Sequence, residues 1–186
     1  MMRHVVLAAT AALTLAACNQ AGAGPALPPV QAGAQAPVTL TPVNAQQHEV
    51  TAQVRQQLLT QIDQLLDQYA SQFASGMAQP QGFTDQIAPM QPGRDLRFVM
   101  PLAAGSEYTF LGACDGDCHN VDIELIDMTT GGVVGSDMLP DDYPVVNFAP
   151  PGNGSYMVRL IMQNCTAAPC FAGARAYVRA AGATGK

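Results

Sequence analysis

Four cysteines in the second half of the chain, Cys114, Cys118, Cys165 and Cys170, are the residues whose type and spacing most readily suggest chemistry. They fall into two local pairs, with three residues between the first two and four between the second two. Four thiolates arranged tetrahedrally satisfy zinc, but both spacings are wider than the usual zinc-knuckle pair. An even set is also the pattern of two disulfides in a chain exported to an oxidising compartment. Local bridges would each close a turn between strands at a plausible Cα separation. Closing such short loops gains only ~2 kcal/mol each, against roughly 4 kcal/mol for a bridge such as Cys114 to Cys165, so chain entropy does not choose the connectivity. Two disulfides are expected, with the local pairs preferred.

Charge is distributed unevenly. Nine of the fourteen acids lie between Glu107 and Asp142, and no Lys or Arg occurs from Phe98 to Val158. This stretch is expected to form a locally negative surface. Asp115, Asp117 and Asp122 offer hard oxygens of the kind calcium needs, roughly six to eight per ion. Asp115-Gly116-Asp117 looks like the start of a calcium loop, yet the rest of an EF-hand is missing and Asp and Gly are ordinary turn formers. Calcium is the one cofactor the sequence suggests, with solvated turns as the competing reading. The mature chain has two histidines, His48 and His119, and neither stands in a Ser-His-Asp context. Gly135-Ser136 and Gly154-Ser155 lack the nucleophile elbow. Carboxylate pairs could be nominated for glycoside hydrolysis, but the chain has no Trp to build a platform. No residue is assigned a catalytic role.

The elements that would position these groups are mainly β. Period-two alternation marks Leu96–Met100, Glu107–Ala113, Val121–Met128, Val133–Met138, Val145–Phe148, Ser155–Met162 and Phe171–Arg179, separated by turn clusters such as Thr129-Thr130-Gly131-Gly132. Seven to eight short strands at this spacing argue an antiparallel β-sandwich or jelly roll over 95–180. Val121, Ile123 and Leu125 should point inward, as should Tyr156, Val158 and Leu160. Upstream, apolar residues at Val50, Val54, Leu58, Ile62, Leu65, Leu66, Tyr69, Phe73 and Met77 recur at steps of three and four and place one long amphipathic helix within 45–78. Asn44 is its expected N-cap, with Gly76 and Pro80 as its stop. Its stripe is most simply covered by the downstream domain, with self-association or a protein partner as alternatives. A membrane-surface helix would need basic residues, and Arg55 stands alone. Residues 79–94 read as a linker and 181–186 as a disordered tail.

The first residues have another character. Arg3 precedes a small and apolar run from Val5 to Ala17, too short to span a bilayer. Leu15-Ala16-Ala17-Cys18 resembles the lipobox of bacterial lipoproteins, which implies cleavage of a signal peptide over 1–17 and lipidation of Cys18, with acyl chains such as palmitate. Residues 19–44 carry no charge and no aromatic and hold prolines 25, 28, 29, 37 and 42, so 18–44 reads as a semi-stiff tether. The location this implies is the cell envelope, anchored to a membrane through Cys18, at the outer membrane facing the periplasm. Cleavage would leave 169 residues with seven basic against fourteen acidic side chains, near −7, which disfavours nucleic acid as a partner.

Glu107-Tyr108-Thr109-Phe110-Leu111-Gly112-Ala113-Cys114-Asp115, Val121-Asp122-Ile123-Glu124-Leu125 and Gly154-Ser155-Tyr156-Met157-Val158-Arg159 together resemble the core strands of the bacterial pre-peptidase C-terminal domain. The resemblance covers roughly Leu96 to Arg179. It implies a small β-sandwich that usually accompanies a secreted hydrolase and sometimes binds calcium or a polymeric substrate. Here a spacer and a helix stand upstream instead of a peptidase, and the cysteine pairs are foreign to the usual pattern. The expectation is a lipid-anchored envelope protein, not an enzyme, whose sandwich is a binding or structural module. A small hydrolase, or an accessory factor of a secreted hydrolase acting on envelope polymers, is the alternative.

Overall fold

The computed structural model describes residues 24–179, so Cys18, the leader and the 181–186 tail lie outside the described residues. In chain order the elements are β1 (Gln46–Gln47), α1 (Ala52–Phe73), β2 (Gln86–Met90), β3 (Arg94–Leu102), β4 (Glu107–Cys114) and β5 (Cys118–Asp127). After these come β6 (Val133–Asp137), β7 (Val145–Phe148), β8 (Gly154–Cys165), β9 (Ala167–Ala168) and β10 (Cys170–Arg179). Eight strands build two four-stranded antiparallel sheets, ordered β2-β10-β4-β7 and β3-β8-β5-β6, while β1 and β9 form a short parallel pair. The inner faces meet in one core, where Val121, Ile123, Leu125, Tyr156, Val158 and Leu160 sit as their alternation requires, against Phe110, Met90 and Ala172 of the opposite sheet.

All seven expected strands are present. The region read as a linker also contributes β2, an edge strand whose Pro89 is tolerated because an edge residue need not donate to a ladder. Helix α1 is shorter than the apolar stripe. Thr51 caps it in place of Asn44, its hydroxyl accepting from the Val54 amide at 3.3 Å, and His48 precedes it. Residues 46–47 pair with β9 instead, and the His48 amide donates to the Ala168 carbonyl at 2.9 Å.

Helix α1 covers the outer face of the β2-β10-β4-β7 sheet. Ile62 and Leu66 are fully buried against Leu111, Ala113, Phe171 and Tyr177, and the Arg55 guanidinium lies 5.7 Å from the centre of the Phe171 ring. On the same face Arg175 of β10 reaches Asp63 and Asp67, four residues apart on α1, and Asp85 beside them. Burial alone would lower the pKa of this guanidinium, but hydrogen bonds to Asp85, Tyr177 and Asp67 hold it above its ordinary value. The middle of the stripe thus packs on the sandwich, while Val54 and Phe73 stay exposed.

The other sheet is covered by the segment read as a tether. Gln31 donates its amide to Thr130 O, Val133 donates to Gln35 O, and Val43 donates to Pro92 O, at 2.8 to 3.3 Å. Gly24 abuts Arg97 of β3. The segment therefore starts at β3, runs to the β5–β6 turn, recrosses β5 and β8 at Val38, and returns to the start of β3. Two turns of the sandwich are shaped to receive it: a Cβ at Gly93 would collide with the Thr41 carbonyl, and one at Gly131 with the Pro29 carbonyl. Both glycines also hold positive φ, near 70°. Over its described part the expected free spacer is a docked strap. The sequence carries little sign of this, because an extended strap of Ala, Pro and Gly has no apolar period.

Candidate functional site

Three places concentrate polar chemistry. At one end of the sandwich, Cys114–Cys118 and Cys165–Cys170 are disulfides with Cα separations of 5.9 and 6.1 Å, the local pairing expected. Each joins a strand of one sheet to a strand of the other. Cys118 and Cys165 are also register partners across β5 and β8, which places the bridges side by side. Asp115 completes this end, its Oδ2 accepting from the Phe171 amide at 2.7 Å, and the Asp117 carbonyl accepts from the Thr166 amide at 2.9 Å. Burial raises the Asp115 pKa, and the backbone hydrogen bonds oppose that shift in part. All four thiols are consumed, so the zinc alternative has no ligands left. Alkylation of the non-reduced, denatured protein should label none of these four cysteines, and labelling of two or more would contradict the bridges.

The second place is the strap-covered face. Alternation on β3, β8 and β5 turns Asp95, Arg159 and Glu124 away from the core, yet all three are buried. Arg159 Nε donates to Asp95 Oδ2 at 2.5 Å and its Nη1 donates to Glu124 Oε2 at 2.7 Å. Val38 closes the group from the strap: its amide donates to Glu124 Oε1 at 2.9 Å and its carbonyl accepts from Arg159 Nη1 at 2.8 Å. Asp122 lies on this face too, with Oδ2 accepting from Gln163 at 2.7 Å and Oδ1 buried without a partner. Burial pushes its pKa up to about 6; the Gln163 hydrogen bond opposes this, and Asp137, Asp141 and Glu124 reinforce it.

The stretch expected to be a negative surface therefore buries Asp115, Asp122 and Glu124, and Arg159, the first base beyond it, neutralises Glu124. The structure does not bring Asp115, Asp117 and Asp122 together as calcium ligands. Among the described residues, no three His, Cys, Asp or Glu side chains are placed to hold a metal ion. His119 is exposed beside the first disulfide.

The third place is a cleft of about 370 Å³ where the end of α1 meets β4 and β7. Phe73, Met77 and Phe148 supply apolar wall. On its rim Arg179 pairs with Glu107 at 3.0 Å and donates to the Ser75 carbonyl at 3.1 Å. The Thr109 hydroxyl donates to Asn147 Oδ1 at 2.7 Å, which leaves the Asn147 NH2 group as a donor at the cleft. Next to it Tyr143 stacks on Phe73, with centroids 6.3 Å apart, and tilts against Tyr69 at 5.7 Å. No protein-family model and no curated protein matches this chain. The lining of this cleft has one carboxylate, already held by Arg179, and no histidine, an arrangement that suits binding better than proton transfer. Sequence reasoning missed Arg159 and its partners because a lone arginine in a clean alternation looks solvent-facing; it missed the cleft because its residues come from four separate elements.

Proposed function

We propose that this chain is a lipid-anchored protein of the bacterial cell envelope, tethered through Cys18 at the outer membrane facing the periplasm, whose sandwich is a non-catalytic binding or structural module. The observation that carries this reading is the pair of disulfides joining the two sheets. Such bridges form and persist outside the reducing cytoplasm, in agreement with an export leader ending at Leu15-Ala16-Ala17-Cys18. The chain's own strap and helix cover much of the outer sheet faces, and in the rim cleft the single carboxylate, paired with Arg179, argues against acid–base hydrolysis there.

The Cys18 thiol is the acceptor of the lipid, so Cys18→Ala should abolish acylation and move the protein from the membrane fraction to the soluble fraction. Mass spectrometry of the N-terminal peptide checks this. An unmodified Cys18 in the wild type, or equal membrane retention of the variant, would refute the anchor.

A further inference from the structure

We propose that the docked strap sets how far the sandwich stands from the bilayer, with the Val38–Glu124–Arg159 clasp choosing between a short and a long leash. This rests on acylation of Cys18. With the strap docked, five residues lie between Cys18 and Gly24, a contour of at most about 20 Å. Gly24 sits against Arg97, so the β3 edge of the sandwich is held within that distance of the membrane. With the strap released, the free chain runs from Cys18 to Ala45, up to about 90 Å at the same rise per residue.

The two states are compatible with one folded sandwich. The inner core and both disulfides lie among residues 83–178 with little contribution from the strap. The strap's own side chains are mostly exposed, and its attachments are hydrogen bonds at a few points, through its backbone and the Gln31 side chain, with the clasp in the middle. Its prolines leave it extended when free. Opening the clasp lets water reach the Arg159 guanidinium and its carboxylates while their mutual pairing is kept, so release does not strand a buried charge. Docking is nonetheless specific, because the turns at Gly93 and Gly131 are shaped for the strap backbone.

Val38→Pro tests this, since it removes the amide that holds Glu124 without touching the sandwich, and Val38→Ala retains that amide. The full acylated protein, carrying a donor dye on Gln64→Cys of α1, is reconstituted into phosphatidylcholine vesicles containing an acceptor-labelled lipid. Amide exchange of residues 24–43 and the mass of the N-terminal peptide are read on the same samples. The expected result is strong energy transfer for the parent and Val38→Ala, and a several-fold loss for Val38→Pro together with faster exchange over 24–43. Unchanged transfer in Val38→Pro despite faster exchange would overturn the leash. A strap that stays protected in Val38→Pro would remove the clasp from it. An unacylated Cys18 would instead overturn the anchoring on which the proposal stands.

Discussion

Replacing Arg159 with Met is expected to lower the unfolding free energy by roughly 3–5 kcal/mol, the usual cost of removing one partner from a buried ion pair. Arg159 holds two carboxylates in a place water does not reach. Asp95 would keep Arg97, which pairs with it at 3.2 Å, but Glu124 would be left with the Val38 amide. At about 2–4 °C per kcal/mol for a chain of this length, the melting temperature should fall by on the order of 10 °C. Neutralising the orphan in Arg159→Met with Glu124→Gln should recover a substantial part of the loss, because the penalty comes from the unpaired charge more than from the missing bond. Chemical denaturation of both variants reads this directly. A single variant within 1 kcal/mol of the parent would mean that the strap does not seal this face.

Asp122→Asn should act in the opposite direction, and only at neutral and alkaline pH. The Asp122 carboxyl is buried, one of its oxygens has no partner, and its pKa stands at about 6 against 3.8 for the free side chain. A folded-state value above the unfolded one means that the folded protein binds this proton more tightly. The ionised group therefore destabilises the fold fully above pH 6, and the penalty is relieved as pH falls from about 6 toward 4. Two units correspond to a ceiling near 3 kcal/mol, and after allowance for the altered hydrogen bond to Gln163, Asn should stabilise the protein by about 2 kcal/mol at pH 8. The gain should largely disappear by pH 4 and vanish near pH 3, where the wild-type carboxyl is protonated in both states. An equal effect of the substitution at pH 4 and pH 8 would show that charge is not its cause.

Alternation made the inner sheet faces legible in the sequence: Val121-Asp122-Ile123-Glu124-Leu125 and Tyr156-Met157-Val158-Arg159-Leu160 assign inward residues directly, and these fill the core. The same pattern misled about the other face, because it marks Asp122, Glu124 and Arg159 as solvent-facing when all three are covered. What clasps Glu124 and Arg159 is a segment with no period, no charge and five prolines, whose docking depends largely on backbone groups that every sequence carries. Glycines at 93 and 131 were the trace it left, but a glycine in a turn is expected whether or not a strap crosses it. The α1 stripe was plain, while its start was not, since Asn44 and Thr51 are both acceptable caps and pairing of Gln46 and Gln47 with β9 decides between them. The disulfide pairing followed from local spacing because the β4–β5 turn and the β8–β10 connection each pass from one sheet to the other.

The most direct test is amide hydrogen exchange, resolved to single residues, on the membrane-extracted protein with its N-terminus intact. If the leader-proximal segment is a strap clasped onto the sandwich, the amides of Gln31, Val38 and Val43 should exchange much more slowly than a free chain, with Val38 slowest because Glu124 holds it. Exchange of all three at the free-chain rate, while Val121 to Leu125 remain protected, would show a spacer hanging free of a folded domain and would contradict the account.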